Sequence, residues 1–207
     1  MQLLRAVDFQ YDTNAVSREA FEDHMKLYKG YVDKFNQTTG ELKNAPQGDN
    51  PTYSEYRGLK LGQGYSLASI VLHELYFGGQ KARPASPDNL TTSVLAAGFG
   101  SFDGWVKDFR SCAASARGWG VLAYSPRSKD LVHMMLDSHD DGMVSGTYPV
   151  IAIDMYEHSY FKDYGTNRDA YISNFLASID WIGVAKRLSE VAKIVEKANQ
   201  QQPTTNA

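Results

Sequence analysis

The sequence predicts an α+β protein in which an N-terminal helical hairpin domain precedes a C-terminal α/β domain with a small three-stranded antiparallel sheet. Apolar residues recur at helical spacing in the first half, and short apolar runs bounded by turn residues occur in the second half. Between the halves, Pro84 and Pro87 indicate a linker. We expect domains at residues 1–83 and 88–200 and a disordered tail at residues 201–207.

The first half predicts an extended arm followed by two helices. Ser17 can cap the first helix, because its hydroxyl can accept a hydrogen bond from a free backbone N–H. Apolar residues at helical spacing then continue to Phe35, and the polar residues 38–52 predict a surface loop. The second helix covers residues 53–77, and three glycines in its first half favour a kink or a split: Gly58, Gly62 and Gly64.

The second half predicts helices on both sides of a group of strands. Residues 88–117 indicate two helices, with a break near Gly98 and Gly100. Three short apolar runs predict strands at residues 118–124, 131–136 and 149–154. Two further helices are predicted at residues 167–179 and 181–198.

Composition excludes several functional classes. The 207 residues are 43% hydrophobic and carry a net charge of −3, so the chain is globular and lacks the basic excess that drives nucleic-acid binding. No apolar run approaches the ~20 residues of a membrane-spanning helix. The single cysteine, Cys112, excludes an intrachain disulfide and is expected to be a buried small side chain. Without an apolar stretch of signal-peptide length in residues 1–11, we expect a cytoplasmic location.

Three of the five histidines lie at positions where a metal ion would give the imidazole a partner. His24 and His73 lie in mid-helix among apolar neighbours, where a desolvated imidazole needs a partner. Asp154 and His158 follow an apolar strand at a spacing of four. Taken singly, each histidine is more often a hydrogen-bonded core residue, and Asp154 could simply cap a helix. Taken together, three imidazoles and a carboxylate without a thiolate favour iron or manganese, although zinc is compatible.

The segment Asp154-Met155-Tyr156-Glu157-His158-Ser159-Tyr160 is similar to the signature Asp-x-Trp-Glu-His-x-Tyr of the iron/manganese superoxide dismutases. The resemblance extends over nearly the whole chain and is weakest in residues 38–52. Other matching segments, in the family's order and spacing, are Tyr31-Val32, His73 to Phe77, Phe99 to Phe102, Gly118 to Gly120, Tyr164 with Arg168 and Tyr171, and Ile179 to Trp181.

This resemblance implies a superoxide dismutase that converts superoxide to dioxygen and hydrogen peroxide. One iron or manganese ion per subunit would be held between the two domains, with a solvent molecule in a fifth position. The implied ligands are His24, His73, Asp154 and His158. Because both metals use the same ligands, the sequence leaves the choice between iron and manganese open.

The resemblance also implies roles around the ligands. Tyr31 matches the tyrosine that guards the substrate channel, and Arg168 matches an arginine near the channel mouth that could steer superoxide. Glu157 matches a residue that bonds to His158 of the partner subunit, which implies a homodimer. The other residues expected beside the ligands or at the dimer interface are Trp119, Tyr156 and Tyr160.

Two departures from the family pattern qualify this assignment. The spacing from His24 to Tyr31 is one residue shorter than usual, so an ungapped alignment would place Asp23 at the ligand position; we favour His24. The family's glutamine beside the metal-bound solvent is also missing, since Ser69 occupies one of its two sites. We expect His139 to take over that role, unless it is a surface-turn histidine. These departures keep open an alternative: a dismutase-like metal-binding protein with weak or altered activity, in metal storage or partner binding.

Overall fold

The computed structural model describes residues 3–200, and the expected tail at residues 201–207 lies outside them. The described part of the chain folds into seven helices and three strands, which confirms the predicted α+β class. Their bounds are α1 Arg18–Glu41, α2 Glu55–Phe77, α3 Asn89–Phe99, α4 Phe102–Ser115, β1 Trp119–Ser125, β2 Asp130–Leu136, β3 Tyr148–Asp154, α5 Glu157–Tyr164, α6 Arg168–Ala177 and α7 Trp181–Gln200.

The helices α1 and α2 form an antiparallel hairpin. Gln63 donates to the Thr39 hydroxyl over 2.8 Å near one end of the pair, and the Tyr28 hydroxyl donates to Glu74 over 2.8 Å near the other. Ser17 caps α1 as predicted, accepting from the Ala20 amide. Because Thr39 is buried against α2, α1 runs to Glu41, into the polar stretch predicted to be a loop.

The helix α2 is not split at its three glycines, which corrects one of the two alternatives, a kink or a split, that these glycines suggested. The helix is continuous from Glu55 to Phe77, and Ser54 caps its start by accepting from the Arg57 amide. Each glycine costs about 1 kcal/mol relative to alanine in a helix, and packing against a neighbouring element routinely overrides this cost. Here α2 packs along α1, which supplies that neighbour.

The three strands form one antiparallel sheet in the order β2-β1-β3. The first residue of the central strand, Trp119, lies opposite Asp154, the last residue of β3. This register places an indole beside the carboxylate at the end of the strand. The central strand is buried along most of its length, as its apolar sequence predicts.

The halves of the chain are joined by contacts that position the end of β3. The Tyr171 hydroxyl on α6 donates to the Asp154 carbonyl over 2.9 Å, and it also lies 3.1 Å from the Tyr76 hydroxyl on α2. After α2, the Lys81 amide donates to the Ser178 carbonyl over 2.7 Å.

Cys112, expected to be buried, is half-buried on α4. Among the described residues, no helix is long and apolar enough to span a bilayer.

Candidate metal centre

Four side chains that are distant in sequence meet at one point between the helical hairpin and the sheet. His24 on α1, His73 on α2, Asp154 at the end of β3 and His158 on α5 each present a ligand atom, and these atoms lie within 4.8 Å of one another. Asp154 Oδ2 is 3.1 Å from His24 Nε2, 3.7 Å from His73 Nε2 and 3.3 Å from His158 Nε2. The structure therefore contains the convergence that the sequence predicted.

Two imidazole nitrogens in this cluster are buried without hydrogen bonds. His24 is 2% exposed and His73 is 0% exposed, and the Nε2 atom of each has no hydrogen-bond partner. His24 Nε2 approaches Asp154 closely but without hydrogen-bond geometry. Leaving a buried polar atom unsatisfied costs about 1–3 kcal/mol. A cation between the imidazoles and the carboxylate would satisfy all four groups at once, so these residues fit a metal ion.

The two buried imidazoles, His24 and His73, are held in the form that can bind a metal. Burial lowers the pKa of His73 to about 3 and also lowers the pKa of His24, so both rings are neutral at pH 7. His73 Nδ1 lies 2.7 Å from the Ser69 carbonyl, which can only accept. The ring proton is therefore on Nδ1, and the lone pair of Nε2 faces the cluster.

Asp154 supplies the negative charge of the site. Burial raises the pKa of this carboxyl, but the His158 and His24 imidazoles outweigh burial and hold the pKa well below its ordinary value. Asp154 Oδ1 accepts from the Tyr156 amide over 2.9 Å, which leaves Oδ2 to face the three histidines. Three imidazole nitrogens and one carboxylate oxygen suit a first-row transition ion.

Backbone and hydroxyl groups that the sequence analysis missed hold these ligands in place. The Asp154 carbonyl accepts from Tyr171, as described above, and also from the Ser159 hydroxyl over 2.8 Å. The Ser69 hydroxyl donates to the Tyr65 carbonyl over 2.8 Å, so it is directed along α2. The bond from His73 to the Ser69 carbonyl has no signal in the sequence, because every residue inside a helix has a carbonyl four positions earlier.

His139 is buried beside the cluster, at 2% exposure, and its ring centre lies 5.5 Å from that of His73. The Trp119 indole donates to His139 Nδ1 over 2.9 Å, so the proton of the neutral ring is on Nε2. Burial lowers the pKa of His139 to about 4, which keeps the ring neutral. Nε2 therefore donates to the Tyr31 hydroxyl over 3.1 Å. The single N–H of His139 is thus engaged by Tyr31.

The other residues expected around the site have distinct surroundings. The Tyr156 ring stacks on His158 with ring centres 5.3 Å apart. Tyr160 is buried and stacks on Tyr171, also at 5.3 Å, so within this chain it is a core residue. Glu157 is exposed next to His158, whose side chain is 28% exposed.

Arg168 is not brought into the cluster. Its guanidinium donates to the Ala116 carbonyl over 2.6 Å and to the Ala113 carbonyl over 3.3 Å. These carbonyls belong to the C-terminal end of α4, where a cation complements the helix dipole. The geometry gives Arg168 a capping function for α4.

Asp23, the competing ligand candidate, also lies outside the cluster. Its side chain is 52% exposed and forms ion pairs with Lys26 and Lys162, each at 2.8 Å. Hydrogen bonds from Lys162 and Lys26 lower the pKa of Asp23 to about 2. Only His24 of the two neighbours points at Asp154.

Comparisons with known proteins agree with this geometry. The family model for the C-terminal domain of iron/manganese superoxide dismutases matches residues 87–187. The iron superoxide dismutase of Aquifex aeolicus is 35% identical over 190 residues, which cover 87% of this chain and 88% of the relative. The iron superoxide dismutase of Cupriavidus metallidurans is 32% identical over 176 residues, which cover 84% and 88%. Superoxide dismutase [Mn] 1 of Halobacterium salinarum is 30% identical over 195 residues, which cover 90% and 95%. This chain belongs to the iron/manganese superoxide dismutase family.

Proposed function

We propose that this protein is a superoxide dismutase that converts two superoxide ions and two protons into dioxygen and hydrogen peroxide. The observation that carries the proposal is the cluster of three imidazoles and one carboxylate, in which His24, His73 and Asp154 are buried and two imidazole nitrogens have no hydrogen-bond partner. His24, His73, Asp154 and His158 would hold one iron or manganese ion per subunit. When bound, the ion supplies the one-electron chemistry that oxidises one superoxide and reduces the next.

The test is superoxide consumption by protein loaded separately with iron and with manganese. We expect at least one loaded form to be active and the metal-free form to be inactive, measured by the decay of superoxide absorbance. Protein that holds one ion per chain without consuming superoxide would instead support the alternative, a dismutase-like metal-binding protein.

Tyr31 and His139 contribute a hydrogen-bonded pair beside the metal ligands. The Tyr31 ring centre lies 5.4 Å from that of His73, and its hydroxyl accepts the proton of His139 Nε2. Burial raises the pKa of Tyr31 to about 12, so this hydroxyl keeps its own proton at neutral pH. We propose that Tyr31 guards access to the ligands and that His139 is the positioning residue that fixes its hydroxyl.

Replacing His139 with alanine is expected to lower turnover about 10–100-fold and to shift the reduction potential, because residues that support metal sites typically have effects of this size. His139→Gln should recover most of the loss, since an amide can accept from Trp119 and donate to Tyr31. Steady-state kinetics and redox titration of the three proteins test this expectation. Kinetics and potential unchanged in His139→Ala would remove the proposed role.

We also propose that the protein is a homodimer that pairs through the surface around His158. Glu157 is exposed, and within the described residues it has no hydrogen bond or ion pair. A reciprocal bond from Glu157 to His158 of the partner subunit would orient that ligand. We expect Glu157→Gln, which keeps the shape and removes the charge, to weaken the dimer and to lower metal affinity about tenfold. Sedimentation velocity at decreasing concentration tests this, and a wild type that stays monomeric would refute it.

A further inference from the structure

An open cavity of about 520 Å³ lies outside Tyr31, between α1, α2 and the loop that follows β2. Tyr31 lines this cavity, and its ring also lies against the metal ligand His73. A small anion that enters this cavity therefore meets the Tyr31 side chain, which lies between the cavity and His73. Its lining residues are Tyr31, Lys34, Thr38, Leu61, Gly62, Tyr65, Ser66 and Asp140.

Two of these lining residues are charged, and their charges are opposite. Lys34 Nζ donates to the neutral side chain of Gln37 over 2.9 Å, and no described carboxylate lies within ion-pair distance of it. Asp140 accepts from the Ser138 hydroxyl over 2.8 Å and likewise has no cationic partner among the described residues. Neither charge is neutralised locally, so both act on an ion that enters the cavity.

Arg168, the residue expected from sequence to steer the substrate, is placed differently. Its guanidinium donates to two carbonyls at the end of α4, and it does not line this cavity. Lys34 is the cation that the fold presents beside Tyr31.

We propose that Lys34 and Asp140 set the rate of superoxide entry in opposite directions, Lys34 accelerating the approach of the anion and Asp140 slowing it. This inference rests on the proposed function. One unit charge acting on a univalent anion through about 10 Å of water changes its local concentration about twofold. At an ionic strength of about 1 M the screening length falls to about 3 Å, which removes such an effect.

The experiment compares kcat/KM for the metal-loaded wild type, Lys34→Gln and Asp140→Asn between about 0.01 M and 1 M ionic strength. At low ionic strength we expect about a twofold decrease for Lys34→Gln and about a twofold increase for Asp140→Asn. Both should converge on the wild type at high ionic strength, with kcat unchanged. Lys107→Gln is the matched control, because Lys107 is an exposed helical lysine on α4 that does not line the cavity.

The increase expected for Asp140→Asn is informative because damage to the fold would lower the rate. Variants that both match the wild type, that shift in the same direction, or that keep their effect at high ionic strength would overturn the inference. If kcat/KM of Arg168→Ala no longer depended on ionic strength, while kcat/KM of Lys34→Gln matched the wild type, Arg168 and not Lys34 would be the residue that steers superoxide. A wild type inactive with both metals would refute the proposed function and this inference with it, whereas an active wild type indifferent to both substitutions would refute the inference alone.

Discussion

Replacing His24 with alanine is expected to abolish metal retention, whereas Asp23→Ala is expected to retain a full complement of metal. His24 Nε2 lies 3.1 Å from Asp154 Oδ2 inside the buried cluster, and removing it leaves three ligands around an open position. The metal affinity should fall by more than the 10–100-fold typical of residues that merely support a ligand. Asp23 contacts only surface cations, so its loss should leave the site intact.

Metal content per chain after dialysis, measured by mass spectrometry, distinguishes these outcomes. Asp23→Ala is the matched control, because it alters the adjacent residue of the same helix. Circular dichroism should show that both variants retain their helices. Metal kept by His24→Ala and lost by Asp23→Ala would overturn the ligand assignment.

The choice between these two residues follows from helix geometry. The helix α1 is continuous from Arg18 to Glu41, and successive residues are separated by about 100° around its axis. His24 and Tyr31 are seven residues apart, nearly two full turns, so they share the face that packs on α2. Asp23 is rotated by about 100° toward solvent. The spacing from His24 to Tyr31 is one residue shorter than usual in the family, and it is therefore compatible with a regular helix.

Much of the site was predictable because its parts carry local signals. Strand β3 is an apolar run that ends at a carboxylate, and His158 follows at a spacing of one helical turn. His24 and His73 interrupt apolar helix faces, where a polar ring needs an explanation. These patterns placed all four cluster residues without knowledge of the tertiary fold.

The residues that were not predictable depend on contacts between distant segments. His139 lies between β2 and β3 in irregular structure, so no periodic pattern shows that it is buried against Trp119, and only the family resemblance suggested a place near the ligands. Arg168 is separated by more than 50 residues in sequence from the carbonyls that it binds at the end of α4. Its position at the start of a helix does not predict these hydrogen bonds. Lys34 was overlooked for the same reason, because the cavity beside it exists only once α1 and α2 pack together.

Removing the metal is expected to lower the Tm of the protein by about 8–16 °C. The helical hairpin supplies His24 and His73, and the segment around the end of β3 supplies Asp154 and His158, so a bound ion links the two halves of the chain. A ligand present at about 1,000 times its Kd stabilises the folded state by about 4 kcal/mol. For a chain of this size, each kcal/mol changes the Tm by about 2–4 °C.

Differential scanning calorimetry of metal-loaded and chelator-treated protein measures this shift, and His24→Ala supplies the control. If the ion acts through the four-residue cluster, the Tm of His24→Ala should respond little to added metal, while Asp23→Ala should respond as the wild type does. A wild-type Tm that is independent of metal would mean that the ion does not stabilise the fold. That result would contradict the inference drawn from the two buried imidazole nitrogens that have no hydrogen-bond partner. An equal metal response in wild type and His24→Ala would place the stabilising ion elsewhere. Metal retention and Tm are measured on the same two variants. If both measurements give the expected result, the ion held by the four ligands is also the ion that stabilises the contact between the two halves of the chain.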